Sequence, residues 1–287
     1  MSAEVNGVIH DIGYQRYAGA RLGRPYAVRS LYSSSLRAAF GLGRGAKAKI
    51  FPWIVVGILT LVAVVTVAIF TQSPGMSMPY SEYPQEMSVL LVLFAAVVGP
   101  ELVSRDLRSG VLSLYFSRPI TRADYPLAKL AALTSAMWLI LAGPELLMFL
   151  GAAFEVDTFS DVWPELGRFG KALLGCGVYA LTFSALALLV ASLAGRRAVA
   201  AAMVVAAFLI TTPVLGVLVA IGEAEGGALE QLAGLVSPIT LAAGTSGWAF
   251  GDDTDIGPYG PVYALTTLGL VVVCVALLLA RYRKVAR

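Results

Sequence analysis

Two glutamates stand inside apolar runs of this chain, in near-identical strings: Val98-Gly-Pro-Glu101-Leu102 and Ala142-Gly-Pro-Glu145-Leu146. A carboxylate in hydrocarbon costs a few kcal/mol, so each must face protein or water, and each could hold a proton or receive a cationic group. Glu101 has Arg105 four residues on, in the acid-first order that favours a helical ion pair, and reads as a structural or coupling acid. Glu145 has no charged neighbour on its own helix. Gly143-Pro144 beside it would free a backbone carbonyl and kink that helix. It reads either as a polar element of a path through the protein or as a protonated acid bonded to a carbonyl of a neighbouring helix. Glu101 lies toward the inner end of its run and Glu145 in the outer half of its own, so antiparallel helices would keep them apart.

Other reactive groups are sparse. The chain has one histidine, His10, and one asparagine, Asn6, and its two cysteines, Cys176 and Cys274, both sit in apolar runs. That leaves no metal cluster, disulfide framework or nucleophile–histidine pair to build. No Gly-x-x-x-x-Gly-Lys-Ser/Thr loop occurs; Gly45-Ala-Lys47 is the nearest approach and fails the spacing, so the chain does not hydrolyse ATP alone. The run Gly41 to Ala46 satisfies a loose dinucleotide fingerprint, but an apolar span rather than a βα unit surrounds it. His-Glu-x-x-His and Gly-x-Ser-x-Gly are missing too, which leaves a membrane-embedded enzyme with little to work with.

The elements that position these acids are helices in a membrane. A hydrophobic fraction of 58% against 14% charged residues, with a mean hydropathy of +0.78, excludes an ordinary soluble domain. The expected class is all-α and polytopic. Six apolar runs, near 50–71, 87–104, 126–153, 171–194, 198–221 and 262–281, can each cross a core of about 30 Å. Before them, residues 1–49 form a basic leader. Its first 25 residues lack a helix or strand period and read as a flexible tail. From Tyr26 to Phe40 the residues Val28, Leu31, Tyr32, Leu36, Ala39 and Phe40 make a stripe opposed by Arg29, Ser30, Ser33, Ser34 and Arg37, the pattern of a helix lying in the headgroup plane. No cleavable signal peptide is visible. With both termini cytosolic, nineteen of the 21 Lys and Arg fall on the inner side, and only Arg168 and Lys171 fall outside, as the positive-inside rule requires. Outside, residues 222–260 carry the stripe Leu229, Leu232, Ala233 and Val236 before Ser237-Pro238, then Trp248 and Phe250. Such apolar content favours a helical hairpin over a plain surface loop.

Glu101 to Lys129 reads ELVSRDLRSGVLSLYFSRPITRADYPLAK. Over 104–116, Leu107, Val111, Leu114 and Tyr115 fall on one helical face and Arg105, Asp106, Arg108, Ser109 and Ser113 on the other. Ser117-Arg118-Pro119 ends this short helix and Asp124-Tyr125-Pro126 restarts one, with Asp124 as N-cap. A charged helix after the second span, a Ser-Arg-Pro-Ile-x-Arg turn, then an aromatic, a Lys and the third span resembles the permease subunits of type-2 ATP-binding-cassette exporters. Gly13-Tyr-x-x-Tyr-x-Gly-x-Arg21 is similar to a segment that heads some of those permeases, which implies packing against the ATPase as an alternative to a free tail.

The resemblance implies that the 104–116 helix couples to a separate cassette ATPase. Arg105, Asp106, Arg108 and Arg118 would then be candidate contacts, and Leu107, Val111, Leu114 and Tyr115 a candidate buried face. It further implies a re-entrant external hairpin before span six, two ATPase copies that carry the ATP and Mg, and a homodimer or a related permease as the second half. Glu145 would lie on the translocation path. No cofactor belongs to this chain and no nucleic acid is a partner. The setting would be a bacterial cytoplasmic membrane, with membrane lipid as surroundings and an apolar or amphipathic cargo such as a lipid, peptide or drug-like molecule. The alternative from another class is a proton-coupled secondary transporter using Glu145, which lacks an internal repeat beyond the two GPEL strings.

Overall fold

The computed structural model describes residues 19, 22–72, 80–108, 115, 120–156, 158–225, 228–250 and 256–285, with the backbone alone for 105, 107, 108, 225 and 285. Among the described residues there is helix and no strand. Helix α1 (Arg24–Ala39) starts with proline in its first turn and carries Arg37 in its last, both favourable placements. Gly41 and Gly43 then turn the chain at φ values of 68° and 82°. At Gly41 a Cβ would lie 2.5 Å from the carbonyl oxygen of Ala48, so the turn folds hard against the start of the next helix and admits no larger residue. The loose nucleotide fingerprint is this turn.

Helix α2 (Ala46–Gln72) follows, then a single turn α3 (Tyr83–Glu86) and α4 (Ser88–Arg108). The remaining long helices are α5 (Asp124–Glu155) and α6 (Val162–Leu193), the latter extended at its start by the 3-10 turn Phe159–Asp161. Arg197–Leu209 forms α7 and Thr211–Glu225 forms α8. A short α9 (Ala228–Ala233), the 3-10 turn Gly234–Val236 and α10 (Pro238–Phe250) lead to α11 (Gly260–Val285).

Five helical stretches are long and apolar enough to cross a membrane: Ala46–Gln72, Asp124–Glu155, Phe159–Leu193, Arg197–Ala224 and Gly257–Lys284. The sixth expected run, Ser88–Ser104, is apolar but shorter, a rise of about 25 Å at ~1.5 Å per residue. Three boundaries depart from the sequence reading. Helix α4 continues past Ser104 to Arg108, so the expected helix of 104–116 does not begin at a break. Residues 109–119 otherwise lie outside the described residues, except Tyr115, which is helical. Helix α6 begins at Val162 rather than near 171, so Arg168 and Lys171 ride on a helix. The fifth run is interrupted at Ile210, where Pro213 has no N–H to continue the ladder and the Thr211 hydroxyl donates to the Phe208 carbonyl.

Helix α6 is the centre of the bundle: 56% of its apolar window is buried, against 11% for Arg197–Ala224. It packs on α4, α5, α7, α10 and α11 through Cys176, Tyr179, Phe183 and Leu188, and Phe169 stacks on Phe149 of α5 at 4.8 Å. Small residues permit the approaches, as is usual between membrane helices. A Cβ on Gly175 would sit 2.5 Å from Ser246 Oγ, and one on Gly260 would sit 1.9 Å from Trp248 Cδ1. With Thr245 and Thr267 sharing a 2.6 Å hydrogen bond and the Tyr263 hydroxyl donating to the Gln231 carbonyl, α9 and α10 are fastened to α6 and α11. The hairpin expected in 222–260 is thus a packed helical pair.

The apolar stripe of α1 does not lie on lipid. Leu31 and Ala39 join the protein core and Val28, Tyr32, Leu36 and Phe40 pack against it, because α1 lies across α5 and α4. Tyr32 donates to Ser135 Oγ at 2.9 Å. Arg24 grips Asp124 with two hydrogen bonds, of 2.8 and 2.7 Å. Asp124 is not the N-cap of α5. Thr121 Oγ1 accepts from the Asp124 amide and the Asp124 carboxylate accepts from the Thr121 amide, a reciprocal capping box one turn earlier.

Candidate functional site

The end of the bundle that carries α1 holds two clusters of charged side chains. In the first, Asp106 on the last turn of α4 accepts from the Tyr125 hydroxyl at 2.6 Å and from Lys129 Nζ at 3.0 Å, both on the same oxygen. Tyr125 and Lys129 are one turn apart on α5 and so share a face. The ammonium also lies 5.4 Å from the centre of the Tyr125 ring, in range of its negative face. Lys129 is only 7% exposed. A lysine so far from water needs a partner held close, because desolvation otherwise outweighs any contact it makes. Tyr125 is flanked by Tyr115 at 5.5 Å and by Tyr282 of α11 at 5.3 Å.

In the second cluster, Glu101 receives Arg44 on one carboxylate oxygen and Arg197 on the other, the latter at 2.6 Å. Arg44 comes from the glycine turn before α2 and Arg197 from the first position of α7, so one acid on α4 gathers three parts of the chain. Its sequence-adjacent partner, Arg105, lies outside the described side chains. Nearby, Arg281 of α11 donates to the Ser192 carbonyl at the end of α6 at 2.7 Å, meeting one of the orphan acceptors of that helix.

Glu145 is elsewhere, deep between α5 and α6, with no exposed surface. Among the described residues neither of its oxygens has a hydrogen-bond partner within ordinary geometry, although the Cys176 thiol of α6 faces it. Eleven residues before Cys176, toward the other end of the bundle, α6 carries the Tyr80 clasp: Tyr80 donates to Glu165 at 2.6 Å and Arg168 pairs with the same acid at 2.7 Å. Burial and then this carboxylate hold the Tyr80 hydroxyl above its usual pKa.

Of the residues singled out in the sequence, Asp106 and Tyr115 thus share the cluster around Tyr125, Glu101 belongs to the second cluster, and Glu145 stands apart from both. Asp106 points into the protein rather than into solvent. Leu107, Arg105 and Arg108 are described by backbone alone, and Val111, Leu114 and Arg118 lie outside the described residues. Lys129, Tyr125 and Tyr282 were not singled out. The available signal was a lysine a turn inside an apolar run, which demands a buried acid.

Five helical stretches long and apolar enough to cross a membrane, packed around a central helix, mark a multi-pass membrane protein. The family follows from comparison with known proteins: residues 55–286 match the model of the ABC-2 family of transporter proteins, and the chain belongs to that family. It is the membrane component of a transporter, a family that implies partnership with a separate ATPase subunit. A search among curated proteins returned no match.

Proposed function

We propose that this chain is the permease half of an ATP-driven exporter in a bacterial cytoplasmic membrane, with α1 and both termini cytosolic and six crossings, the second made by α4. Two copies of the chain, or one and a related permease, pair with two ATPase subunits that bind the ATP and Mg. The α9–α10 pair enters the outer leaflet as a re-entrant hairpin, and an apolar or amphipathic cargo crosses between the halves. The last turn of α4 and the segment after it form the coupling element, with Arg105, Arg108 and Arg118 meeting the ATPase and Leu107, Val111, Leu114 and Tyr115 turned to protein.

One observation carries this reading. The helices on either side of the 109–123 connection are tied together, Asp106 to Tyr125 and Lys129, so a push on the connection is delivered to α4 and α5 jointly. A free loop between two spans needs no such tie.

The test is reversal of Arg105 and Arg108 to Glu in a complex purified with its cassette ATPase, with Arg283 and Lys284 reversed as control. ATP turnover in the complex should fall at least fivefold for the first pair and stay within twofold for the second. Equal turnover for both, with the complex assembled, would remove the coupling role.

A further inference from the structure

We propose that Lys129 is a positioning residue that makes α4 and α5 a single lever, through an ion pair with Asp106 that forbids the two helices to slide. The proposal rests on the ATP-driven reading above and names the part of the permease that conveys the stroke.

The argument starts from what this place in the bundle would hold if stability were all that mattered. Buried ion pairs contribute little net stability, because the cost of dehydrating both charges cancels most of their attraction, and apolar residues of like volume do as well or better. Lys129 stands among buried side chains of its own helix face: Tyr125 one turn before it and Leu133 one turn after are both fully buried. A methionine would fit such surroundings without any dehydration cost. What an ion pair has and an apolar contact lacks is a steep dependence on registry. Apolar surfaces can slip by a fraction of a turn and keep most of their buried area. An ammonium 3.0 Å from its carboxylate cannot slip without stretching that pair, and the loss of attraction is steep in a poorly polarisable interior.

The geometry adds a second restraint. The same oxygen of Asp106 takes the Tyr125 hydroxyl at 2.6 Å, so the acid is held from two successive turns of α5. Rotation of α4 about its own axis breaks one bond, and translation along it breaks both. The joint also reaches a third helix, since the Tyr125 ring meets Tyr282 on α11 at 5.3 Å, and α11 is in turn tied to the end of α6 by Arg281 and the Ser192 carbonyl. Load entering at the end of α4 therefore reaches α5 through a rigid bond and α11 through a ring contact that can tilt. Asp106 acts inside the permease in this scheme and is not a contact to the ATPase.

The experiment uses the assembled complex with its ATPase in proteoliposomes and needs no knowledge of the cargo. A cysteine placed at Phe154, which is exposed at the far end of α5, reports movement of that helix through its rate of reaction with a maleimide. The two native cysteines are buried and stay silent. In the otherwise native complex, Mg-ATP with vanadate should change that rate at least threefold. Lys129→Met alone takes the ammonium away from Asp106 and could fail to fold, so the deciding variant is Asp106→Asn with Lys129→Met, which removes both charges together. We expect it to assemble, melt within about 3 °C of the native complex and hydrolyse ATP within twofold, while the Phe154→Cys response falls below 1.3-fold. Lys129→Arg, which keeps the charge, should restore at least half of the response. A full response in the double variant would overturn the proposal and leave the ATP-driven reading standing. No response in the native complex would overturn that reading and the lever with it.

Discussion

The clasp at Glu101 is open to a graded test. Glu101→Gln keeps the shape, removes the charge, and leaves Arg44 and Arg197 facing an amide. A hydrogen bond to a charged group contributes about 1.5–3 kcal/mol when enclosed, whereas an exposed ion pair contributes about 0–1 kcal/mol. The Arg44 side chain is 26% exposed and the Arg197 side chain 57%, so screening leaves the first near the bottom of the enclosed range, at about 1.5 kcal/mol, and the second at about 0.5 kcal/mol. Their sum, about 2 kcal/mol, corresponds to about 4–8 °C in melting midpoint at roughly 2–4 °C per kcal/mol for a chain of this size class. Arg44→Gln should then lower the midpoint by about 3–6 °C and Arg197→Gln by about 1–2 °C. The assay is thermal unfolding of the purified protein in detergent, repeated at high salt, where the Arg197 effect should shrink first because solvent ions reach that pair more readily. A midpoint for Glu101→Gln within 1 °C of the native value, or a larger loss for Arg197→Gln than for Arg44→Gln, would refute this apportioning of the clasp.

Two further outcomes follow from packing and burial. Gly260→Ala should cost about 1–3 kcal/mol through its collision with Trp248; pairing it with Trp248→Ala should recover at least half of that loss in a double-mutant cycle, and strict additivity of the two melting shifts would show that the contact is not the cause. Glu145→Met exchanges a buried acid whose oxygens lack hydrogen-bond partners for an apolar side chain and should raise the midpoint by a few degrees, since an unsatisfied buried polar group costs about 1–3 kcal/mol; a fall would mean that the acid has a partner it needs.

How far the sequence was legible depends on the distance over which each signal acts. The stripe of α1 and the long apolar runs are properties of consecutive residues, and period and length exposed them directly. What covers a stripe is another matter: lipid and protein are equally apolar, and nothing in Val28, Leu31 and Leu36 says which one they meet. The expectation that Glu101 pairs with Arg105 used the geometry of one helix and falls on a side chain outside those described. Arg44, which binds Glu101, is 57 residues away, within a glycine turn. The fourth run was started near 171 because charge marked its edge, yet a helix begins where its hydrogen bonds begin, and α6 starts at Val162, well before its apolar stretch. The capping box at Thr121 and the break at Ile210 were written locally, in Thr121-x-x-Asp124 and in Thr211-Thr212-Pro213. The first was shifted by one turn when Asp124 alone was taken as the cap. Asp106 and Lys129 were both in view, but their meeting depends on how α4 and α5 return toward each other, which local patterns do not encode.

The partners of α1 are made long after α1 itself. Arg24 waits for Asp124, 100 residues further along, and Tyr32 for Ser135, 103 residues further. While the chain is being synthesised, most of the apolar stripe of α1 has no protein to cover it until α5 emerges, with Phe40 meeting Phe94 of the earlier α4, and the headgroup layer is a surface that can shelter it meanwhile. Its amphipathic pattern thus serves two hosts in succession, lipid during assembly and α5 afterwards. Lengthening the interval before α5, or slowing translation through it, should prolong the first stage without altering the finished fold.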